Sequence, residues 1–136
     1  MSKIPDIRSR NFNLREILHR NRDVTDDIIT VGIYRMGYMQ ALRDMLGKPI
    51  VITSGNRDLD YNRSIGSSDK SFHRYRIENG RLIGANDFKV MGMSAAQAYE
   101  IVSKFSHGET YLHKRFDFVH NSDFNDGEVD EQWVQG

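Results

Sequence analysis

Two histidines stand near carboxylates at chemically meaningful places: His73 precedes Asp87, and His120 follows Asp117 by three residues. Hydrolysis at a zinc ion uses such a set. About three protein ligands, imidazole or carboxylate, hold the ion and leave one position open for water. A nearby base takes that water's proton. His73, Asp87 and His120 are therefore candidate Zn²⁺ ligands, and Asp117 is the candidate base. His19 receives no role. His113 reads as an exposed strand residue, with proton transfer as its alternative.

The intervening segment must bring His73 to Asp87. Ile77-Glu78-Asn79-Gly80-Arg81-Leu82 places an Asn-Gly turn between two short β-leaning runs, which predicts a hairpin within 72–90. A three-residue loop at Asn79–Arg81 sets position 73 opposite 87. A two-residue loop shifts the register by one and requires a bulge. The segment 110–120 alternates as strands do, with Phe116, Phe118 and His120 on one face and Asp117 and Val119 on the other. Asp117 reaches the site only if the strand bends there.

The upstream elements read as helices. Asn13 caps Leu14–His19, with Glu16 completing a capping box. Thr25 caps a helix from about 26 to 46, with Asp26 and Asp27 in its first turn. Its apolar face is Ile29, Ile33, Met36, Met39, Leu42 and Leu46, and Gly47 and Pro49 end it. Ile50–Ile52 follows as a short buried strand. Ser94 caps a helix from Ala95 to Phe105, with Ala95, Ala98, Tyr99 and Val102 along one side. The expected fold is α+β: N-terminal helices packed on a small antiparallel sheet, with one more helix.

A chain of 136 residues suits one domain over 1–136, with 1–10 and 125–136 peripheral and Val129, Trp133 and Val134 as anchors in an acidic tail. Hydrophobic residues are 38% and charged residues 28%, which fits a globular rather than a disordered chain. Lys+Arg and Asp+Glu are both 19, a balance that argues against general nucleic-acid binding. Arg74, Arg76 and Arg81 with Tyr75 form a candidate phosphate-facing patch; the alternatives are a solvated hairpin or a rim for an acidic substrate. There is no cysteine, so disulfide and thiolate chemistry are excluded. The sequence has no phosphate-cradling glycine loop, His-Glu-x-x-His helix or serine nucleophile elbow. The N-terminus lacks an apolar signal core, and no run approaches the ~18 apolar residues of a membrane span. A monomer held in the cytoplasm, with no membrane or nucleic-acid partner, is the expectation.

The stretch ITSGNRDLDYNRSIGSSDKSFH resembles the core of the M15 zinc peptidases, which include D-alanyl-D-alanine carboxypeptidases and phage L-alanyl-D-glutamate endopeptidases. Their fold is shared with hedgehog signalling domains. The order strand, Ser-Gly-x-Arg, Tyr-Asn, Ser-x-His, Asp and a final strand ending in His is matched. Here it runs Ser54-Gly55-Asn56-Arg57, Tyr61-Asn62, Ser71-Phe72-His73, Asp87 and Phe118-Val119-His120. FNLREIL and LRDMLGKPIVITSG resemble the family's lead-in, so the likeness covers roughly 11–120.

The resemblance implies that His73, Asp87 and His120 hold Zn²⁺, that Asp117 is the general base, and that Arg57 binds the carbonyl or the oxyanion formed from it. Pairing with Asp58 or Asp60 is the alternative for Arg57. Tyr61, Asn62 and Ser71 become substrate-binding candidates, Ser71 otherwise orienting His73 or closing its turn.

The chain departs from the pattern in three places. Thirteen residues separate His73 from Asp87, where relatives have a shorter His-x-x-Gly-x-Ala-x-Asp run; the hairpin accounts for the excess. Ser122 stands where many relatives carry Asp, leaving Asp123 as an alternative base. His107-Gly108-Glu109-Thr110-Tyr111 only loosely echoes the usual turn before the last strand. The implied function is zinc-dependent cleavage of an amide in peptidoglycan stem peptides by a phage or prophage lysis enzyme. The alternative is a non-catalytic zinc- or peptide-binding module, such as a virion protein.

Overall fold

The computed structural model describes residues 4–18, 24–105 and 108–122. His19, His107, Asp123 and the acidic tail lie outside them. Asn13 and Glu16 form the expected capping box: Glu16 N–H donates to Asn13 Oδ1 and Asn13 N–H to Glu16 Oε1, both at 3.0 Å. They start α1 (Leu14–Leu18). Thr25 Oγ1 accepts from Ile28 N–H at the start of α2 (Asp26–Leu46). Gly47, at φ 66°, closes α2 by donating to the Arg43 carbonyl.

The buried side of α2 keeps Met36, Met39 and Leu42 of the expected face, with Ile29 and Leu46 packed against the core, and departs from it at Ile33. Val31, Arg35, Met36, Met39 and Leu42 face inward, whereas Ile33 is 40% exposed. The cause is α1, which lies over Gly32. A Cβ at Gly32 would sit 2.9 Å from side-chain atoms of both Leu14 and Leu18, so the helices meet along that edge.

The main sheet is antiparallel, in the order β1 (Ile50–Ser54), β4 (Ala85–Val90), β6 (Phe118–Ser122), β5 (Glu109–His113). Its pairing places Ile52, Phe88, Val119 and Leu112 in one row, and Asp87, His120 and Tyr111 in the next. Directly paired residues share a face and successive residues alternate, so these rows lie on opposite faces. The first row belongs to the apolar core, which α2 and α4 (Ala95–Phe105) help to form. The second row carries two of the candidate metal ligands, Asp87 and His120. Ile4 and Ile7, in a segment expected to be peripheral, pack against the core.

The insertion between His73 and Asp87 folds as a separate two-stranded sheet, β2 (Arg76–Glu78) and β3 (Arg81–Ile83). Its loop has two residues, Asn79 and Gly80, at φ 50° and 75°. Positive φ at both positions is what a tight hairpin turn requires, and Asn-Gly tolerates it. The ladder ends at Arg76↔Ile83, and β4 then pairs elsewhere. Hairpin register therefore does not align His73 with Asp87. A helix absent from the sequence reading, α3 (Leu59–Ser64), follows β1, capped by Asp58 Oδ1 accepting from Tyr61 N–H at 2.8 Å.

Two glycines give opposite expectations. A Cβ at Gly55 would lie 2.1 Å from the Ile17 carbonyl oxygen, a backbone atom with little freedom to retreat. Gly55→Ala is expected to lower stability by at least about 1–3 kcal/mol through overpacking. A Cβ at Gly37, on the exposed side of α2, meets nothing within 4 Å. Gly37→Ala is expected to add about 0.5–1 kcal/mol. Denaturant midpoints of the two variants check both signs.

Candidate metal centre

His73, Asp87 and His120 converge, each offering one ligand atom, with all three atoms within 4.8 Å of one another. Asp87 and His120 are brought together by direct cross-strand pairing of β4 and β6. His120 Nδ1 lies 2.8 Å from Asp87 Oδ1. His73 arrives on a loop, its Nε2 3.2 Å from the same oxygen. The imidazoles meet edge to face at 5.2 Å, and Tyr111 lies 5.9 Å beyond His120.

The end of β1 holds that loop. Arg57 N–H donates to the His73 carbonyl at 2.7 Å, and Asn56 Oδ1 accepts from Tyr75 N–H at 2.9 Å. The Gly55 carbonyl accepts from His73 Nδ1 at 2.9 Å, which fixes the ring's tautomer and orientation. Asn56 N–H in turn donates to the Ile17 carbonyl, so α1 supports the whole arrangement. Ser71 Oγ accepts from His73 main-chain N–H at 3.2 Å, a contact within the turn that carries His73.

The donor set fits a divalent cation. With its Nδ1 proton committed to Gly55, His73 directs Nε2 at a carboxylate oxygen, and both are electron-pair donors unless a cation lies between them. A proton or a metal ion meets that need. The three donors are nearly or wholly buried, at 1%, 5% and 0% exposure for His73, Asp87 and His120. Burial opposes ionisation of Asp87, but the adjacent His73 and His120 outweigh it and hold its carboxyl well below the usual carboxylate range.

Arg57 stands at the edge of the cluster. Its Nη2 is 3.6 Å from Asp87 Oδ2, its Nε donates to Ser54 Oγ at 3.1 Å, and Nη1 reaches Asn62 Oδ1 at 3.5 Å. Asn62 is fully buried and also donates to the Ser68 carbonyl at 2.7 Å. Tyr61 is half-buried on α3. Ser54 and Gly55 stand inside Ser-Gly-x-Arg and Tyr111 in the segment before the last strand, but the sequence assigned them no role: not Ser54 as the acceptor for Arg57, Gly55 as the acceptor for His73, or Tyr111 as the neighbour of His120.

The remaining candidates lie elsewhere. Asp117 is exposed at φ 55° in the β5–β6 turn, outside the cluster, and its Oδ1 accepts from Ala95 N–H at 3.1 Å, helping Ser94 start α4. The turn replaces the continuous strand on which Asp117 was expected to sit. His113 is buried rather than exposed, stacked on Phe116 at 5.0 Å and Phe118 at 4.7 Å. Arg74 and Arg76 donate to loop carbonyls of Asp69, Lys70, Ser71 and Arg74, and Tyr75 is buried. These contacts clamp the loop that carries His73.

A buried His-Asp-His group on an α+β scaffold is compatible with a metal-dependent hydrolase. A family model described as Peptidase M15 matches residues 10–122, and the chain belongs to this family. Neither the curated proteins nor the solved structures compared with the chain give a match.

The cluster predicts about one divalent metal per chain in protein purified without chelator, and almost none in His120→Ala. Protons compete with metal for imidazole nitrogens, so occupancy falls as pH is lowered. Elemental analysis after equilibration over a pH series checks both expectations.

Proposed function

We propose that this protein is a zinc-dependent peptidase that hydrolyses an amide bond in bacterial peptidoglycan stem peptides. The proposed setting is phage or prophage lysis, with a monomeric protein held in the cytoplasm until the membrane is breached. The observation that carries the reading is the convergence of His73, Asp87 and His120 beside the Arg57 guanidinium.

His73, Asp87 and His120 would hold the ion. When bound, zinc supplies Lewis acidity and lowers the pKa of a water ligand. Arg57, only partly exposed and tethered by Ser54 and Asn62, presents a fixed cation to a substrate carbonyl oxygen as negative charge grows on it. Such a preorganised charge contributes on the order of 3 kcal/mol to barrier lowering. Asn62 and Ser71 act through Arg57 and His73, by the hydrogen bonds they make to them. Tyr61 is left as the candidate for direct substrate contact.

Asp117 is the proposed proton acceptor, through a carboxylate that also caps α4. Asp117→Asn separates the two roles, because asparagine caps helices as well as aspartate does. The expected result is a turnover loss of about 10²–10⁴ with metal content and melting temperature retained. Unchanged turnover would leave Asp117 as a helix cap alone.

The test of the function uses metal-loaded protein and defined stem peptides carrying D-Ala–D-Ala and L-Ala–D-Glu bonds, with products read by mass spectrometry. Cleavage of one bond, abolished by chelator and restored by zinc, is expected. Stable metal binding with no cleavage of any stem peptide would replace the enzyme by a non-catalytic module of the same fold.

A further inference from the structure

Directly behind the Asp87–His120 pair, on the core face of the sheet, Asn86 pairs with Asn121. The two asparagines are the chain neighbours of those ligands, so their side chains point the opposite way. A fully buried arginine from α2 joins them. Arg35 Nε donates to Asn86 Oδ1 at 2.7 Å, and Nη2 donates to Asn121 Oδ1 at 3.0 Å and to the Asn121 carbonyl at 3.3 Å. Asn86 Nδ2 donates to Tyr75 Oη at 3.1 Å, and Tyr75 Oη donates to the Ala85 carbonyl at 2.9 Å. Tyr75 lies two residues beyond His73. Asn121 Nδ2 extends the network to Thr110 Oγ1 at 3.1 Å on β5.

We propose that Arg35 is a positioning residue for the metal centre, locking the loop and the two strands that deliver His73, Asp87 and His120 by bridging Asn86 and Asn121. The inference rests on the reading that these three residues bind a metal. A planar guanidinium presents several donors in a fixed fork, so one side chain spans two strands at a set separation. A methionine fills similar space but offers no donor, and leaves both amide oxygens without that partner. A lysine cannot reproduce the fork.

The apolar rows set which residues face the site, and the Arg35 bridge adds a polar tie between the two strands directly behind Asp87 and His120. Gly84 lets α2 come close enough for the bridge: a Cβ there would lie 2.8 Å from Val31 and 3.0 Å from Arg35 side-chain carbon. The network reaches each ligand through a residue one or two positions away in the chain. Its loss is therefore felt at the donor triangle rather than as general loosening alone.

Cobalt(II) titration of the purified full chain tests the inference, reading the dissociation constant and the d–d absorption band. Arg35→Met is expected to bind cobalt about ten- to hundred-fold more weakly, with an altered band, as loss of outer-shell partners does. Val102→Ala, a buried α4 change outside the network, is expected to lower the melting temperature and keep wild-type affinity and band. Should Arg35→Met fail to fold, Asn86→Ser removes one anchor and is expected to weaken binding about tenfold. Wild-type affinity and band in Arg35→Met or Asn86→Ser, or an equal loss in Val102→Ala, would overturn the positioning role. A wild type that binds no cobalt would overturn the metal reading itself, and the inference with it.

Discussion

The register between β4 and β6 is the constraint on which the rest of the structure depends. Pairing Asp87 with His120 places two candidate ligands side by side on one face. The same register sets Phe88 against Val119 and Asn86 against Asn121 on the other. A slip of one residue in either strand would turn a carboxylate or an imidazole into the core and a core residue out of it. The apolar rows thus specify the site as firmly as the site residues do. Site and core are two faces of one ladder.

The third candidate ligand depends on different physics. His73 belongs to no strand of the main sheet and is held by backbone bonds to the end of β1, which Ile17 of α1 supports. Gly55 is where this becomes intolerant of change, because its carbonyl orients His73 while any Cβ there would strike the Ile17 carbonyl. The long excursion between His73 and Asp87 costs little in geometry, since the β2–β3 hairpin pairs within itself. A self-contained insertion can lengthen a ligand spacing without separating the ligands.

Much of this was legible in the sequence, for reasons tied to particular residues. Capping signals are local chemistry, and Asn13, Thr25 and Ser94 start helices where their spacing implies. The Asn-Gly turn is equally local. What failed required tertiary information. Ile33 fits the helical period of α2 but lies exposed because α1 docks on the Gly32 edge. Arg35 drew no attention in the sequence, yet it is fully buried and bridges Asn86 and Asn121, which arrive from strands distant in sequence. The strand expected to run through Asp117 is broken by a four-residue turn at 114–117, and the Asp117 carboxylate accepts from Ala95 N–H at the start of α4. α3 was passed over because its six residues are too few to show a period.

The central claim is that His73, Asp87 and His120 jointly hold one zinc ion. Anomalous diffraction at the zinc edge, from crystals grown with zinc and without chelator, tests it most directly. A single strong anomalous peak bounded by His73 Nε2, Asp87 Oδ1 and His120 Nδ1 is the predicted result. A cluster with no anomalous density, or a peak held by other side chains, would contradict the account.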